Sequence, residues 1–325
     1  MKERPVIIAT RGSALALAQA NMVLAECRKN FPRLEFELRI IKTSGDKLQT
    51  ASMSKTDPSL PKGLFTKELE VALLNHEADI AVHSLKDLPT ELPSGLTLGA
   101  VAGKRADVRD VLIYRADGGP SRRFGPKLRL KDFPDGITVA TSSTRRKAQL
   151  LAARPDFKCI EIRGNVTTRL EKLAMMPAMD ATVLAAAGLG RLHFTIDADG
   201  RLRGDAAPDG LLAILLDLDE MLPCVGQGAI GLESRADDGR IEEIYRRLNH
   251  HDTFQSVTAE RAFLRGMGGG CQTPVAAYAC VENDEIWLRA VSFLTDQPRR
   301  AEIKGAVSEA AGMGEKVAAE IKAVG

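Results

Sequence analysis

Residues 6–19 read VIIATRGSALALAQ, and a change of rhythm inside them sets the fold class. Residues 6–9 are a short apolar run rich in β-branched side chains, the composition of a buried strand. At Ser13 the pattern changes, because a serine hydroxyl can cap a helix by accepting from a backbone N–H two or three residues on. Leu15, Ala18, Met22 and Ala25 then share one helical face, which predicts the packed side of that helix. Further out, Phe36, Leu38 and Ile40 alternate with Glu35, Glu37 and Arg39, a strand with one wet face. Residues 64–75 read as a helix. Residues 79–82 read as another strand, ending in the polar turn His83-Ser84-Leu85-Lys86-Asp87. Strand, helix, strand, helix is the order that builds an α/β sheet.

The rhythm breaks near Gly103-Lys104-Arg105 and restarts with strands at 111–114, 137–141, 159–162 and 181–184. Helices follow Ser142-Ser143 and Gly164-Asn165. Residues 115–134 are rich in Gly, Pro and Arg and predict an exposed loop, and 197–209 predict a second polar connection. A third region starts near Asn249. It has a helix around 257–264, the run Gly268-Gly269-Gly270-Cys271, two alternating strands at 275–281 and 285–294, and a closing amphipathic helix at 308–323. No repeat at a solenoid period is visible.

A chain of 325 residues accommodates two or three domains. Its 44% hydrophobic and 27% charged content is that of a soluble globular protein. Forty-five basic against 43 acidic residues leave a net charge of +2, which does not argue for nucleic acid, so any anion site must come from placement. The cysteines are Cys27, Cys159, Cys224, Cys271 and Cys280. The number is odd and no CxxC occurs, which indicates neither a disulfide framework nor a zinc ribbon. Cys271 and Cys280 could pair in principle; free thiols are the better expectation. His76, His83, His193, His250 and His251 show no metal-ligand spacing, so no metal is assigned. His83 could orient Asp87, although a structural role is the better expectation, and His250-His251 are expected to face solvent near a helix start. No apolar stretch approaches 18 residues and MKERPVIIAT lacks a secretory apolar region, so a cytoplasmic location away from membranes is expected.

Three strand-to-helix junctions carry cations. Arg11-Gly12-Ser13 is either an anion seat or a plain helix cap. Ser142-Ser143-Thr144-Arg145-Arg146-Lys147 repeats the device more strongly, with hydroxyls, helix N-terminal N–H groups and adjacent cations. Arg163-Gly164-Asn165 with Arg169 makes a third, at the carboxyl end of a strand where open α/β sheets bind ligands. Together they suggest a ligand with several carboxylates or phosphates; no nucleotide fingerprint accompanies them. Lys86-Asp87 pairs a cation with a carboxylate able to act electrostatically or move a proton, or it is a surface turn. Cys271, after three glycines, is either an accessible nucleophilic thiol or a small buried residue at a tight turn.

Seven segments in order resemble the porphobilinogen deaminases along nearly the whole chain. They are TRGSALALAQ at 10–19, KGLFTKELE at 62–70, HSLKDLPT at 83–90, TSSTRR at 141–146, RGNVTTRL at 163–170, VGQGAIG at 225–231 and GGCQTP at 269–274. The resemblance implies an α/β fold of three domains: two periplasmic-binding-protein-like lobes with mixed sheets, and a small α+β C-terminal domain. Lobe 1 would take 1–103 and 225–246, lobe 2 residues 104–224, and the cofactor-attachment domain 247–325. It implies a dipyrromethane joined to Cys271 by a thioether, with Lys86, Asp87, Ser143, Arg145 and Arg146 binding that cofactor. Arg11, Ser13, Gln19, Phe65, Arg163 and Arg169 would bind substrate, and Asp87 would be catalytic. The implied reaction condenses four porphobilinogens with loss of four ammonias, then releases hydroxymethylbilane by hydrolysis. The implied partners are porphobilinogen and the growing oligopyrrole, with no nucleic acid and no membrane, and the implied state is a monomer.

Every pyrrole brings an acetate and a propionate, and buried carboxylates without partners are costly, which gives the arginines a reason. Thr144 stands where such proteins most often have Leu, a change expected to alter local packing and not the chemistry. Residues 51–61 are expected to form a loop over the cleft, with Lys55 and Lys62 touching substrate. Cys224 is expected at a crossing between lobes. Two other readings share parts of this pattern: a non-enzymatic two-lobed anion-binding protein, which needs neither Asp87 nor Cys271, and an oxidation-sensing thiol protein.

Overall fold

The computed structural model describes residues 4–45, 65–117, 124–270 and 272–323. Cys271, Lys55, Lys62 and the 51–61 segment lie outside the described residues. In chain order come β1 (Val6–Arg11), α1 (Ala14–Asn30), β2 (Phe36–Ile41), α2 (Lys67–Leu74), β3 (Ile80–Ser84) and β4 (Leu96–Val101). Next are β5 (Asp110–Arg115), β6 (Thr138–Ala140), α3 (Thr144–Ala153), β7 (Lys158–Ile160), α4 (Val166–Met175), β8 (Ala181–Ala185) and α5 (Ala186–Arg191). The short pair β9 (Thr195–Ile196) and β10 (Leu202–Arg203) precedes β11 (Leu211–Leu215). The chain then runs through β12 (Ile230–Arg235), α6 (Gly239–Leu248), α7 (His251–Gly266), β13 (Val275–Glu282), β14 (Glu285–Ser292), β15 (Arg299–Ala306) and α8 (Ala310–Ala323).

The architecture is mixed α/β, as the sequence indicated: two five-stranded sheets and a small C-terminal α+β unit. The first sheet has the order β2-β1-β3-β12-β4. β1 is parallel to β2 and β3, and β12 is antiparallel to β3 and β4. The second has the order β11-β5-β8-β6-β7, with β6 parallel to β7 and β8, and β5 antiparallel to β8 and β11. The C-terminal unit is an antiparallel sheet β13-β14-β15 covered by α7 and α8, whose shared core includes Phe263, Leu288, Met313 and Val317.

Since β12 follows β11 in the chain yet completes the first sheet, the chain crosses between the sheets twice. The crossings lie side by side. Arg105 Nε donates to the Gln227 carbonyl at 2.8 Å, and Gln227 Nε2 donates to the Val108 carbonyl at 2.7 Å. At Gly228 the backbone adopts φ +86°, and a Cβ there would lie 2.6 Å from the Ala106 carbonyl oxygen, so only glycine fits. The C-terminal unit locks onto this joint through Glu260. That buried carboxylate accepts two bonds from Arg105, at 2.6 and 2.9 Å, and one each from the N–H groups of Gly226 and Ala279 at 2.8 Å.

Several expectations need correction. The packed face of α1 is Gln19, Ala20, Val23, Leu24 and Cys27, while Met22 is 52% exposed. The helix is apolar nearly all round, so periodicity alone did not select its inner face. Residues 118–123 of the 115–134 stretch lie outside the described residues, and the remainder is not merely an exposed loop. Phe124 and Phe133 are buried and meet the Tyr114 ring edge-on, with centroids 6.1 and 5.0 Å away. His250 does stand at a helix start, but its side chain is engaged there: it caps α7, its Nδ1 accepting from Thr253 N at 3.3 Å. The polar connection at 197–209 contains β10, and strands β4, β11, β12 and β15 were not anticipated.

Candidate active site

At the end of β3 the chain makes a single 3-10 turn, Leu85–Asp87. Leu85 and Leu88 are buried, so the apolar residues anchor the turn and leave Lys86 and Asp87 half-buried on its other side. Ser84 Oγ donates to Gln19 Oε1 at 2.9 Å, tying the turn to α1. From the C-terminal unit, Arg261 of α7 donates to the carbonyls of Leu88 at 3.0 Å and Pro89 at 2.6 Å.

Opposite this turn, α3 starts with Ser143 as cap, its hydroxyl accepting from Arg146 N at 3.4 Å. The next turn presents Arg145 and Arg146, both buried, to one carboxylate. Asp110 accepts from Arg145 Nη2 at 2.8 Å, Arg146 Nη2 at 2.7 Å and Gln227 Nε2 at 2.9 Å. Burial alone would raise the Asp110 carboxyl; the two guanidinium groups more than reverse this and hold it well below the usual carboxylate range. Arg145 Nη1 also donates to the Leu222 carbonyl at 2.6 Å, and Arg146 Nη1 to the Val183 carbonyl at 2.8 Å. The Nε atoms of both arginines are buried without a hydrogen-bond partner, as is Gln19 Nε2.

The two sides act on each other electrostatically. Burial, then the like charge of Arg146, pushes the Lys86 ammonium below its ordinary value, while Asp87, Cys224 and Asp110 oppose the shift. Arg169, in the first turns of α4, donates through Nε to the Gly164 carbonyl at 2.8 Å. Burial and the Arg146 charge push it down to about 10, with Asp87 again opposing. Lys86, Asp87, Arg145, Arg146 and Arg169 therefore share one neighbourhood with Asp110, four cations to two carboxylates. A neighbourhood with more buried positive than negative charge, and with orphaned donors, suits a ligand rich in carboxylates. It fits the carboxylated pyrroles of a dipyrromethane. Cys271, the attachment residue expected from the sequence, lies outside the described residues. The adjacent Gln272 carbonyl accepts from Thr144 Oγ1 of α3 at 2.8 Å.

The remaining sequence candidates are placed as follows. Arg11 stacks on the Phe65 ring, 4.2 Å from its centroid. Ser13 caps α1, its hydroxyl accepting from Ala16 N at 3.3 Å. Arg163 is exposed and lies 3.6 Å from Glu161. His83 is held 2.9 Å from Glu233 inside the first sheet, rather than at Asp87. Burial pushes the Cys27 thiol up to about 12 and raises Cys159 and Cys280, which makes these thiols poor nucleophiles. Cys280 is free, and Cys224 is half-buried in the second crossing. Sequence reasoning missed Asp110, Gln227, Glu260 and Arg261. A lone acid opening an apolar strand, as Asp110 does before residues 111–114, was the one available signal. No His/Cys/Asp/Glu group suited to a metal occurs among the described residues. No described helix is long and apolar enough to cross a membrane.

A family model described as porphobilinogen deaminase, dipyromethane cofactor binding domain, matches residues 6–243. The chain belongs to the porphobilinogen deaminase family. A second model, the porphobilinogen deaminase C-terminal domain, matches residues 254–323. The porphobilinogen deaminase of Thermus thermophilus is 46% identical over 321 residues, 98% of this chain and 95% of that one. That of Desulforudis audaxviator is 43% identical over 99% of this chain and 96% of its own. Among solved structures, the BenM effector binding domain with its effector benzoate aligns over 76% of this chain and 91% of that one. It does so at 17% identity and a TM-score of 0.40, too low to carry an inference.

Proposed function

We propose that this chain is a porphobilinogen deaminase that condenses four porphobilinogens with loss of ammonia and releases hydroxymethylbilane by hydrolysis, in tetrapyrrole biosynthesis. The observation that carries the reading is Asp87, a carboxylate set among Lys86, Arg146 and Arg169 at the junction of the two large sheets. A dipyrromethane joined to Cys271 supplies, when bound, the free pyrrole α-carbon on which the chain is built.

The protein's own groups have separable tasks. Arg145, Arg146, Lys86 and Ser143 hold cofactor carboxylates; the orphaned Nε atoms give the two buried arginines donors beyond those spent on Asp110. Arg169, Arg163, Arg11 and Ser13 hold substrate carboxylates, and Gln19 and Phe65 line the approach. Asp87 accepts a hydrogen bond from the substrate's pyrrole N–H and stabilises the positive charge that develops on that ring as ammonia leaves. A preorganised carboxylate does this without reorganising water. It is also placed to take a proton from the new carbon–carbon junction.

The domain division belongs to the same proposal: lobe 1 as 1–103 and 225–246, lobe 2 as 104–224, and the attachment domain as 247–325. So do a cytoplasmic location, a monomeric state, and a partner list limited to porphobilinogen and its oligomers.

Asp87→Asn tests the assignment. Losing one such stabiliser lowers kcat by about 10²–10³-fold, with the unfolding midpoint unmoved. Near-normal turnover would overturn the role of Asp87. A protein that gained no mass from porphobilinogen in the wild-type form would overturn the function itself.

A further inference from the structure

The described residues on either side of Cys271 are fastened to one another and to α7. Gly269 N–H donates to the Leu264 carbonyl near the end of α7 at 2.9 Å, and a Cβ on Gly269 would lie 2.2 Å from that oxygen. Thr273 N–H donates to the Gly270 carbonyl at 3.0 Å, and Gly270 N–H donates to the Thr273 hydroxyl at 3.2 Å. Gly270 and Thr273 are thus bonded to each other twice, and Gln272 lies in a turn beside Thr273. The Gln272 carbonyl accepts from Thr144 Oγ1 at 2.8 Å.

Both ends of this contact are framed independently of it. On one side, Thr144 is the first residue of α3, between the Ser143 cap and the two arginines fixed on Asp110. Arg145 Nη1 and Gln149 Nε2 of the same helix both donate to the Leu222 carbonyl, and Leu222 N–H donates to Gln149 Oε1 at 2.9 Å. On the other side, the Leu222 side chain packs with Ala276 and Val291, in the strands that follow the turn. The helix and the C-terminal sheet are therefore already joined through Leu222. What the Thr144 hydroxyl adds is the register of the turn itself against the start of α3.

We propose that Thr144 is a positioning residue for the attachment thiol. Its hydroxyl latches Gln272, the neighbour of Cys271 in the chain, to the helix start so that carboxylates on a group joined to Cys271 arrive beside Arg145 and Arg146. An aliphatic side chain of any size at 144 cannot make this bond. The proposal rests on the functional reading above for what the thiol carries, and on the hydrogen bond alone for the latch.

Thr144→Val removes the hydroxyl at constant shape, and Thr144→Ser keeps it. Deuterium exchange is followed at the amides of residues 268–273 in the full chain. In parallel, cofactor-free protein is given porphobilinogen and its intact mass is read over time. Thr144→Val is expected to exchange about fivefold faster than wild type in that turn, equivalent to about 1 kcal/mol, and to acquire its dipyrromethane more slowly by a similar factor. Thr144→Ser is expected to match wild type in both. Exchange and loading in Thr144→Val equal to wild type would overturn the latch, as would a Thr144→Ser variant as impaired as Thr144→Val. If no variant, wild type included, gained mass while the exchange difference stood, the functional reading would fail and the latch would remain.

Discussion

Two groups of charge, one buried and one half-buried, face each other across the site, and they are organised oppositely. Around Asp110 most of the donors are engaged: two guanidinium groups and the Gln227 amide converge on one carboxylate with distances of 2.7–2.9 Å, and the two arginine Nε atoms are left without a hydrogen-bond partner. Around Asp87 the balance tips the other way. Lys86 and Arg169 are both pushed toward losing their protons, because burial and the Arg146 charge outweigh the opposing pull of Asp87. The first arrangement is architecture, its carboxylate satisfied without a ligand. The second holds charge at a cost that incoming carboxylates relieve. Buried arginines thus divide by what already holds them, not by their number.

The sharpest way to break this contrast after Asp87→Asn is to exchange the roles. Asp110→Asn leaves two buried guanidinium groups against a neutral amide and should cost about 3–5 kcal/mol of stability, the usual effect of removing one partner from a buried ion pair. Denaturant unfolding at pH 7 measures it; a loss under about 1 kcal/mol would show that the triad is not architectural. The sign of its pH dependence follows from the depressed Asp110 carboxyl. The contribution is fully present above the unfolded value of about 4 and is lost as pH falls through the folded value. Wild type should therefore lose its advantage over Asp110→Asn on acidification below about pH 4.

Next in size is Arg261, which holds the carbonyls just after Asp87. Arg261→Leu should lower kcat by roughly tenfold, since a small misplacement of a charge-stabilising group is costly, and Arg261→Lys should recover part of it. Unaltered turnover in Arg261→Leu would separate the turn from the chemistry. The smallest effects compare two substrate-binding candidates. Arg169→Ala should raise KM by about tenfold, a charge-assisted bond in a desolvated place. Arg163→Ala, at an exposed and solvent-screened guanidinium, should raise it about twofold. Equal effects would erase the distinction between buried and exposed cations.

The local parts of this molecule were legible in the sequence. The strand-to-helix rhythm at 6–19, the Ser13 and Ser143 caps and the turn at Lys86-Asp87 each follow from side chains within a few residues of one another. What depended on distant partners was not. β12 pairs with β3 and β4 from more than 120 residues away, and no local pattern marks a strand for that sheet. Asp110 finds its cations 35 and 36 residues on. Arg261 reaches back 173 residues to Leu88. In α1 the opposite problem arose: so many residues are apolar that the helix offers two plausible inner faces, and packing against the sheet chose the one ending at Cys27.

The late arrival of β12 has a consequence for how the protein is made. The first 101 residues leave the ribosome with β3 and β4 facing a gap where their shared neighbour belongs. Unfilled edges of that kind recruit other chains. They stay open until about 130 further residues have been synthesised, roughly 7–26 seconds at about 5–20 residues per second. During that interval the nascent N-terminal third exposes edges that can pair with other chains, and substitutions that slow the second sheet should appear first as aggregation rather than as lost turnover.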